Sequence, residues 1–128
     1  MRAAAVPVRH AVFVDEQKVP AEIELDALDP LSLHALAFDG AGRVLGTGRL
    51  LPDGHIGRMA VLRQARGNGV GSALLAALMQ AARARGDREV ALSAQTHAIA
   101  FYERFGFVAE GEEYDDAGIP HRLMRRVL

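Results

Sequence analysis

The chain contains no cysteine and no tryptophan. Without thiols there is no disulfide framework, no thiolate nucleophile and no cysteine metal site, and the redox compartment stays open. A charge excess of one sign is missing too, since 15 Lys and Arg stand against 16 Asp and Glu for a formal net charge of -1. That balance excludes the basic footprint of a general nucleic-acid binder. No apolar run approaches the ~20 residues of a membrane span, and "MRAAAVPVRHAVFV" is too short and interrupted for a signal peptide. The expectation is a soluble, cytoplasmic protein with neither nucleic acid nor membrane as partner. No GxSxG elbow surrounds Ser32, Ser72 or Ser93, which argues against a serine hydrolase. His10, His34, His55 and His97 lack metal-ligand spacing such as HExxH, so no metal is expected.

What is present is a chain of 128 residues, 50% apolar and 24% charged. This is the size and composition of one globular domain, residues 1–128, able to bury a core. "VPVRHAVFVDEQ" is ambiguous, because its valines alternate like a strand while Val8, Val12 and Asp15 also fit one helical face. Propensity alone chooses the strand. "KVPAEIELDALDP" reads as an acidic connector. "LSLHALAF", the turn "DGAG" and "RVLGTGRLL" make residues 31–52 an antiparallel hairpin, and "IGRMAV" is a third strand. A helix from about Gly69 carries Leu74, Leu75, Leu78, Met79 and Ala82 on one face and ends at Gly86. "REVALSA" follows as a buried strand and "HAIAFYERF" as a short amphipathic helix. "EEYDDAGIPHRLMRRVL" is read as a turn between two last strands, with "EEYDD" the solvated turn.

The segment "QARGNGVGSALL" raises the chemical question. Glycine in a helix interior costs roughly 1 kcal/mol relative to alanine, so Gly67, Gly69 and Gly71 against a helix start need a reason. A strand, a glycine-rich turn and a helix N-terminus together aim unpaired amides and the positive helix end at one point, which suits a phosphate. A Walker loop would need Lys after its last glycine, but Gly71 is followed by Ser72 and Ala73. A dinucleotide fingerprint would need glycine at Ser72 and an acid ending the next strand, whereas Asp87 precedes that strand. An acyl-CoA loop, Arg or Gln, two residues, Gly, one residue, then Gly or Ala, fits "RGNGVG" from Arg66 to Gly71.

About 30 residues downstream, "AFYERFGF" resembles the second signature of the GCN5-related N-acetyltransferases (GNAT superfamily). "HAVFVDEQKVP" and "EYDDAGIPHRLM" look like the ElaA-like branch, so the resemblance spans about residues 8–128. It implies an α/β (α+β) GNAT fold: a strongly twisted, mixed, mainly antiparallel sheet, splayed at its central strand and flanked by helices. It also turns the ambiguous first segment into a helix. Such chains normally start with an additional strand, for which "MRAAA" is a poor substitute, so the first strand is expected to be short or absent. Gln95 stands where most members have asparagine before the aromatic helix.

The resemblance implies acetyl-CoA as cosubstrate, its pyrophosphate resting on backbone amides of Arg66, Gly67, Asn68, Gly69, Val70, Gly71 and Ser72. The pantetheine arm is then expected beside Met59, Ala60 and Val61, with Gln95 and Tyr102 also at the cofactor. Ala98, Phe101, Tyr102 and Phe105 form a helical stripe, which by spacing alone is core packing. The family position makes Tyr102 the general acid that meets the CoA sulfur. Two residues compete as general base. His121 carries an imidazole, a side chain suited to general-base work, in the "GIPH" segment that the family places by the acceptor. Glu16 would border the acceptor cleft from the end of the first helix. Arg49 and Arg58, on adjacent strands, either orient a carboxylate-bearing substrate or make surface ion pairs. The expected reaction is direct acetyl transfer to a primary amine of a small molecule or peptide. An acetyl-CoA sensor without transfer is the alternative, and a homodimer stays open.

Overall fold

The structure, a computed structural model, describes residues 32–128. The first helix with Glu16, the acidic connector and the "MRAAA" segment lie outside the described residues. Within them the hairpin forms as expected, with β1 (Leu33–Phe38) antiparallel to β2 (Val44–Leu50). Asp39 organises the turn: Oδ1 accepts the amides of Ala41 at 2.8 Å and Arg43 at 2.9 Å, and Oδ2 accepts Arg43 Nε at 2.8 Å. These bonds, the Arg43 amide first, hold its carboxyl below the ordinary aspartate value. β3 (His55–Val61) is antiparallel to β2, and β4 (Glu89–Gln95) is parallel to β3. β6 (Ile119–Val127) runs antiparallel between β4 and β5 (Val108–Asp116). The described strands form one mixed, mainly antiparallel sheet in the order β1-β2-β3-β4-β6-β5.

Helix α1 (Val70–Arg85) covers one face of the sheet with Leu74, Leu75, Leu78, Met79 and Ala82, the stripe that its periodicity predicts. Leu75 is 0% exposed and Leu78 2%. Each such leucine contributes about 2 kcal/mol by leaving water. Gly46 and Gly48 let β2 lie directly under α1. A Cβ at Gly48 would come within 2.8 Å of Leu78 Cδ1, and one at Gly46 within 3.0 Å of Leu74 Cδ1. Hence even-numbered β2 positions face α1, and Thr47 and Arg49 face the other side. Gly86 ends the helix at φ 91°, its amide reaching back to the Ala82 and Arg83 carbonyls. The short α2 (Ile99–Glu103), entered through a tight turn at Thr96–Ala98, adds Ile99, Phe101 and Tyr102 to the same core.

Two register irregularities shape the site. Gly46 pairs with Val61 and Thr47 with Ala60, but Arg49 pairs with Gly57, so β3 carries one extra residue opposite Gly48. Such a bulge increases local twist. Beyond it β3 leaves β4: their pairing is confined to His55–Ala91 and Ile56–Leu92. The second irregularity lies between Glu110 and Tyr114 in β5. It corrects the reading of "EEYDD" as a turn, because Glu112–Asp116 belong to β5 and the reversal is Ala117–Gly118. Both turn residues have positive φ, 53° and 79°, the geometry of a tight two-residue hairpin loop. The acidic composition reflects a solvated strand, whose residues from Glu110 to Asp116 are all exposed.

Candidate active site

The divergence of β3 and β4 opens a cleft of about 1280 Å³. Its walls are two strand edges. β3 stays paired to β2 as far as Val61 while β4 stays paired to β6 as far as Gln95, so each strand turns an unshared edge to the gap. Met59, Ala60 and Val61 line one wall and Leu92, Ser93 and Gln95 the other.

The glycine loop closes one end. Gly67 and Gly69 have φ of 83° and 78°, a conformation side chains rarely adopt. Gly69 is the N-cap of α1 and offers no side-chain cap, and the first turn holds no acidic residue. The amides of Val70, Gly71 and Ser72 therefore keep their donor capacity and the positive helix end is unneutralised, which suits an anion. Gly71 is different: a Cβ there would make ordinary contacts with Phe101 Cζ at 3.7 Å and Val61 Cγ2 at 3.9 Å. Arg66, Gly67, Gly69, Val70, Gly71 and Ser72 line the cleft. Asn68 is not among the lining residues, and its amide nitrogen lies 3.5 Å from the Ala65 carbonyl. Arg66 Nε donates to the Val61 carbonyl at 3.0 Å, tying the loop to the end of β3.

Tyr102 enters from the face covered by α1. Its ring meets Phe101 and Phe107 edge-on, at 5.1 and 6.0 Å, and its hydroxyl points at Met59 Sδ, 3.9 Å away. Burial among these apolar groups raises its pKa, so the phenol stays protonated and can only give a proton at neutral pH. Phe101 and Phe105 pack in the core.

On the opposite face of the sheet the cleft is bordered by polar side chains. Leu92 and Ala94 belong to the core against α1, so Ser93 and Gln95 point the other way. His121 is directly opposite Gln95, and Tyr114 is directly opposite His121. His121 is 8% exposed and lines the cleft. Its Nδ1 is 2.7 Å from the Ile119 carbonyl. A carbonyl only accepts, so Nδ1 carries the hydrogen, and in the neutral ring the lone pair then sits on Nε2, the tautomer a base requires. Arg49, 6% exposed, also lines this side, and Arg58 stands in the bulge of β3. Two residues escaped the sequence reading: Ser93, considered only as a nucleophile, and Tyr114, hidden in an acidic run. They share a hydrogen bond across β6, and the Tyr114 ring lies nearly parallel to the His121 imidazole at 6.1 Å and 27°. Among the described residues no group of three His, Asp or Glu could hold a metal ion, and no helix is long and apolar enough to cross a membrane.

A sheet splayed beside an uncapped, glycine-led helix N-terminus, with protic side chains at the opening, suits an anionic ligand that lays an extended arm along a strand edge. The chain belongs to the GNAT family, whose model, described as Acetyltransferase (GNAT) domain, matches residues 4–128. It is 42% identical over 123 residues to the uncharacterized N-acetyltransferase YjcF of Bacillus subtilis, covering 93% of this chain and 87% of that one. The crystal structure of an acyl-CoA N-acyltransferase from Pseudomonas aeruginosa is similar with TM-score 0.85 at 41% identity, over 97% of this chain and 88% of that one. Escherichia coli ElaA is similar with TM-score 0.86 at 32% identity, over 97% and 88%.

Proposed function

We propose that residues 1–128 form one N-acetyltransferase domain that moves acetyl from acetyl-CoA directly to a primary amine of a small molecule or peptide. The observation that carries this reading is that a protonated phenol, Tyr102, and an imidazole bound to a carbonyl through Nδ1, His121, reach one cleft from opposite faces of the sheet. The pyrophosphate lies on the amides of the Arg66–Ser72 loop, and the pantetheine arm pairs with the open edge of β3 along Met59, Ala60 and Val61. A backbone amide there polarises the thioester carbonyl. The amine enters from the polar face and gives a proton to His121 Nε2 as its nitrogen bonds to the carbonyl carbon. The carbon–sulfur bond then breaks, and the leaving sulfur takes the Tyr102 proton on the other face. Separate faces for the two proton transfers favour direct transfer, with no acyl-enzyme. Gln95 borders the reacting centre, and the buried Arg49 supplies positive charge for an acceptor that carries a carboxylate.

The test is free-CoA release from acetyl-CoA with a panel of alkylamines, arylalkylamines, polyamines, amino acids and a lysine peptide. Amine-dependent release is expected from at least one class. Tight acetyl-CoA binding with no release from any would leave a sensor instead.

A further inference from the structure

We infer that Tyr114 is a positioning residue for His121: its ring, anchored by Ser93, stacks alongside the imidazole and holds Nε2 toward the splayed cleft. The inference rests on the reading of His121 as the base. Tyr114 starts on β5, the outer strand beyond β6, yet its hydroxyl bonds Ser93 Oγ on β4. The side chain therefore spans β6 diagonally, from the level of His121 toward that of Leu123, with its ring alongside the imidazole. The imidazole is bounded on three sides: by its own strand, by the Ile119 carbonyl at Nδ1, and by the stacked Tyr114 ring beside it.

The second bulge creates this arrangement. Val108, Ala109 and Glu110 pair with Arg125, Met124 and Leu123, while Tyr114, Asp115 and Asp116 pair with His121, Pro120 and Ile119. Four residues on β5 thus span two on β6. Continuing the first register would bring Glu112, not Tyr114, opposite His121. Gly111 makes the irregularity with φ of 73°, and Arg122 pins it, donating Nε at 3.2 Å and Nη2 at 2.7 Å to the Gly111 carbonyl. Bulges beside a site re-aim side chains. Here the bulge sets an aromatic ring, and not a carboxylate, against the imidazole. Tyr114 remains 42% exposed, so core packing alone does not account for its place.

A double-mutant cycle tests this, using whichever amine of the panel is acetylated fastest. Tyr114→Ala should lower kcat about 10- to 100-fold, the scale of a misplaced catalytic group, and leave the KM for acetyl-CoA unchanged. In a His121→Gln background the same substitution should cost less than about 2-fold, because nothing remains to position. Tyr114→Phe, which keeps the stacked ring but loses the Ser93 anchor, should fall between wild type and Tyr114→Ala; Tyr114→Leu, of similar bulk, should match Tyr114→Ala. Equal losses from Tyr114→Ala in both backgrounds would overturn the positioning role while leaving His121 as base. A His121→Gln enzyme as fast as wild type would overturn the base itself, and the inference with it.

Discussion

Tyr102→Phe removes one oxygen and separates catalysis from packing. The hydroxyl's neighbour is Met59 Sδ at 3.9 Å, a weak acceptor, while the ring keeps its edge contacts with Phe101 and Phe107. A hydrogen bond to sulfur is worth less than the ~1 kcal/mol of an ordinary one, so folding stability should move by about 0.5 kcal/mol or less. In a chain of this size that is roughly 2 °C in Tm. If the phenol protonates the leaving sulfur, turnover falls ~100-fold or more, equivalent to ~2.7 kcal/mol in the transition state. The two effects differ several-fold and cannot be confused. Acetyl-CoA affinity should be unchanged, because the ground-state thioester carries no charge on sulfur. A donor with a less basic leaving thiol should suffer less from the substitution. Burial raises the phenol's pKa above its ordinary 10.0, so activity should show no Tyr102 limb below that pH. The unfolded chain's tyrosine ionises first, so this group's contribution to stability is full below pH 10.0 and declines as pH rises toward the folded value; Tyr102→Phe removes that decline. The assay is free-CoA release at saturating acetyl-CoA, with thermal unfolding and donor binding measured on the same sample. Wild-type turnover in a folded variant, with chemistry rate-limiting, would return Tyr102 to packing.

At the glycine loop, Gly71→Ala places a Cβ at ordinary contact distance and should keep the thermal shift given by acetyl-CoA, whereas the branched Gly71→Val should abolish it with the apo fold retained. An equal shift in wild type and Gly71→Val would remove the pyrophosphate from this helix end. Gly69 is a poorer probe, because its φ of 78° strains any side chain whether or not a ligand binds. His121→Gln should slow turnover most at neutral pH and least at high pH, where the amine is already deprotonated, and an unchanged pH–rate profile would turn attention to Glu16. Under α1, Gly48→Val should destabilise the fold by about 2 kcal/mol in chemical denaturation, since even its Cβ falls 2.8 Å from the buried Leu78 Cδ1; a change under ~0.5 kcal/mol would contradict the described packing.

Local rules were enough for much of this protein. The leucine stripe of α1 and its stop at Gly86 follow from the helical repeat and from the left-handed freedom of glycine, both properties of consecutive residues. The anion-seeking loop is equally local, because a glycine N-cap leaves the first amides of a helix uncapped whatever surrounds it. Motif order then pointed to the family before any strand was paired. Pairing beyond the first hairpin was out of reach: nothing in "HIGRMAV" says that its parallel contact with β4 stops after Ile56, yet that divergence makes the cleft. The two bulges were equally silent. A shift of two residues in β5 keeps the same side chains on the same face, so hydrophobic alternation cannot report it, and it decides whether Glu112 or Tyr114 meets His121. "EEYDD" looked like a turn because charge records solvent exposure, which an outer strand shares with a loop. The sequence by itself determined the helix, the loop and the kinds of groups available for acyl transfer, since these depend on neighbours along the chain. Only the tertiary structure decided that Tyr102 and His121 reach one cleft from opposite faces, because strand register and face are settled by contacts between residues far apart in sequence.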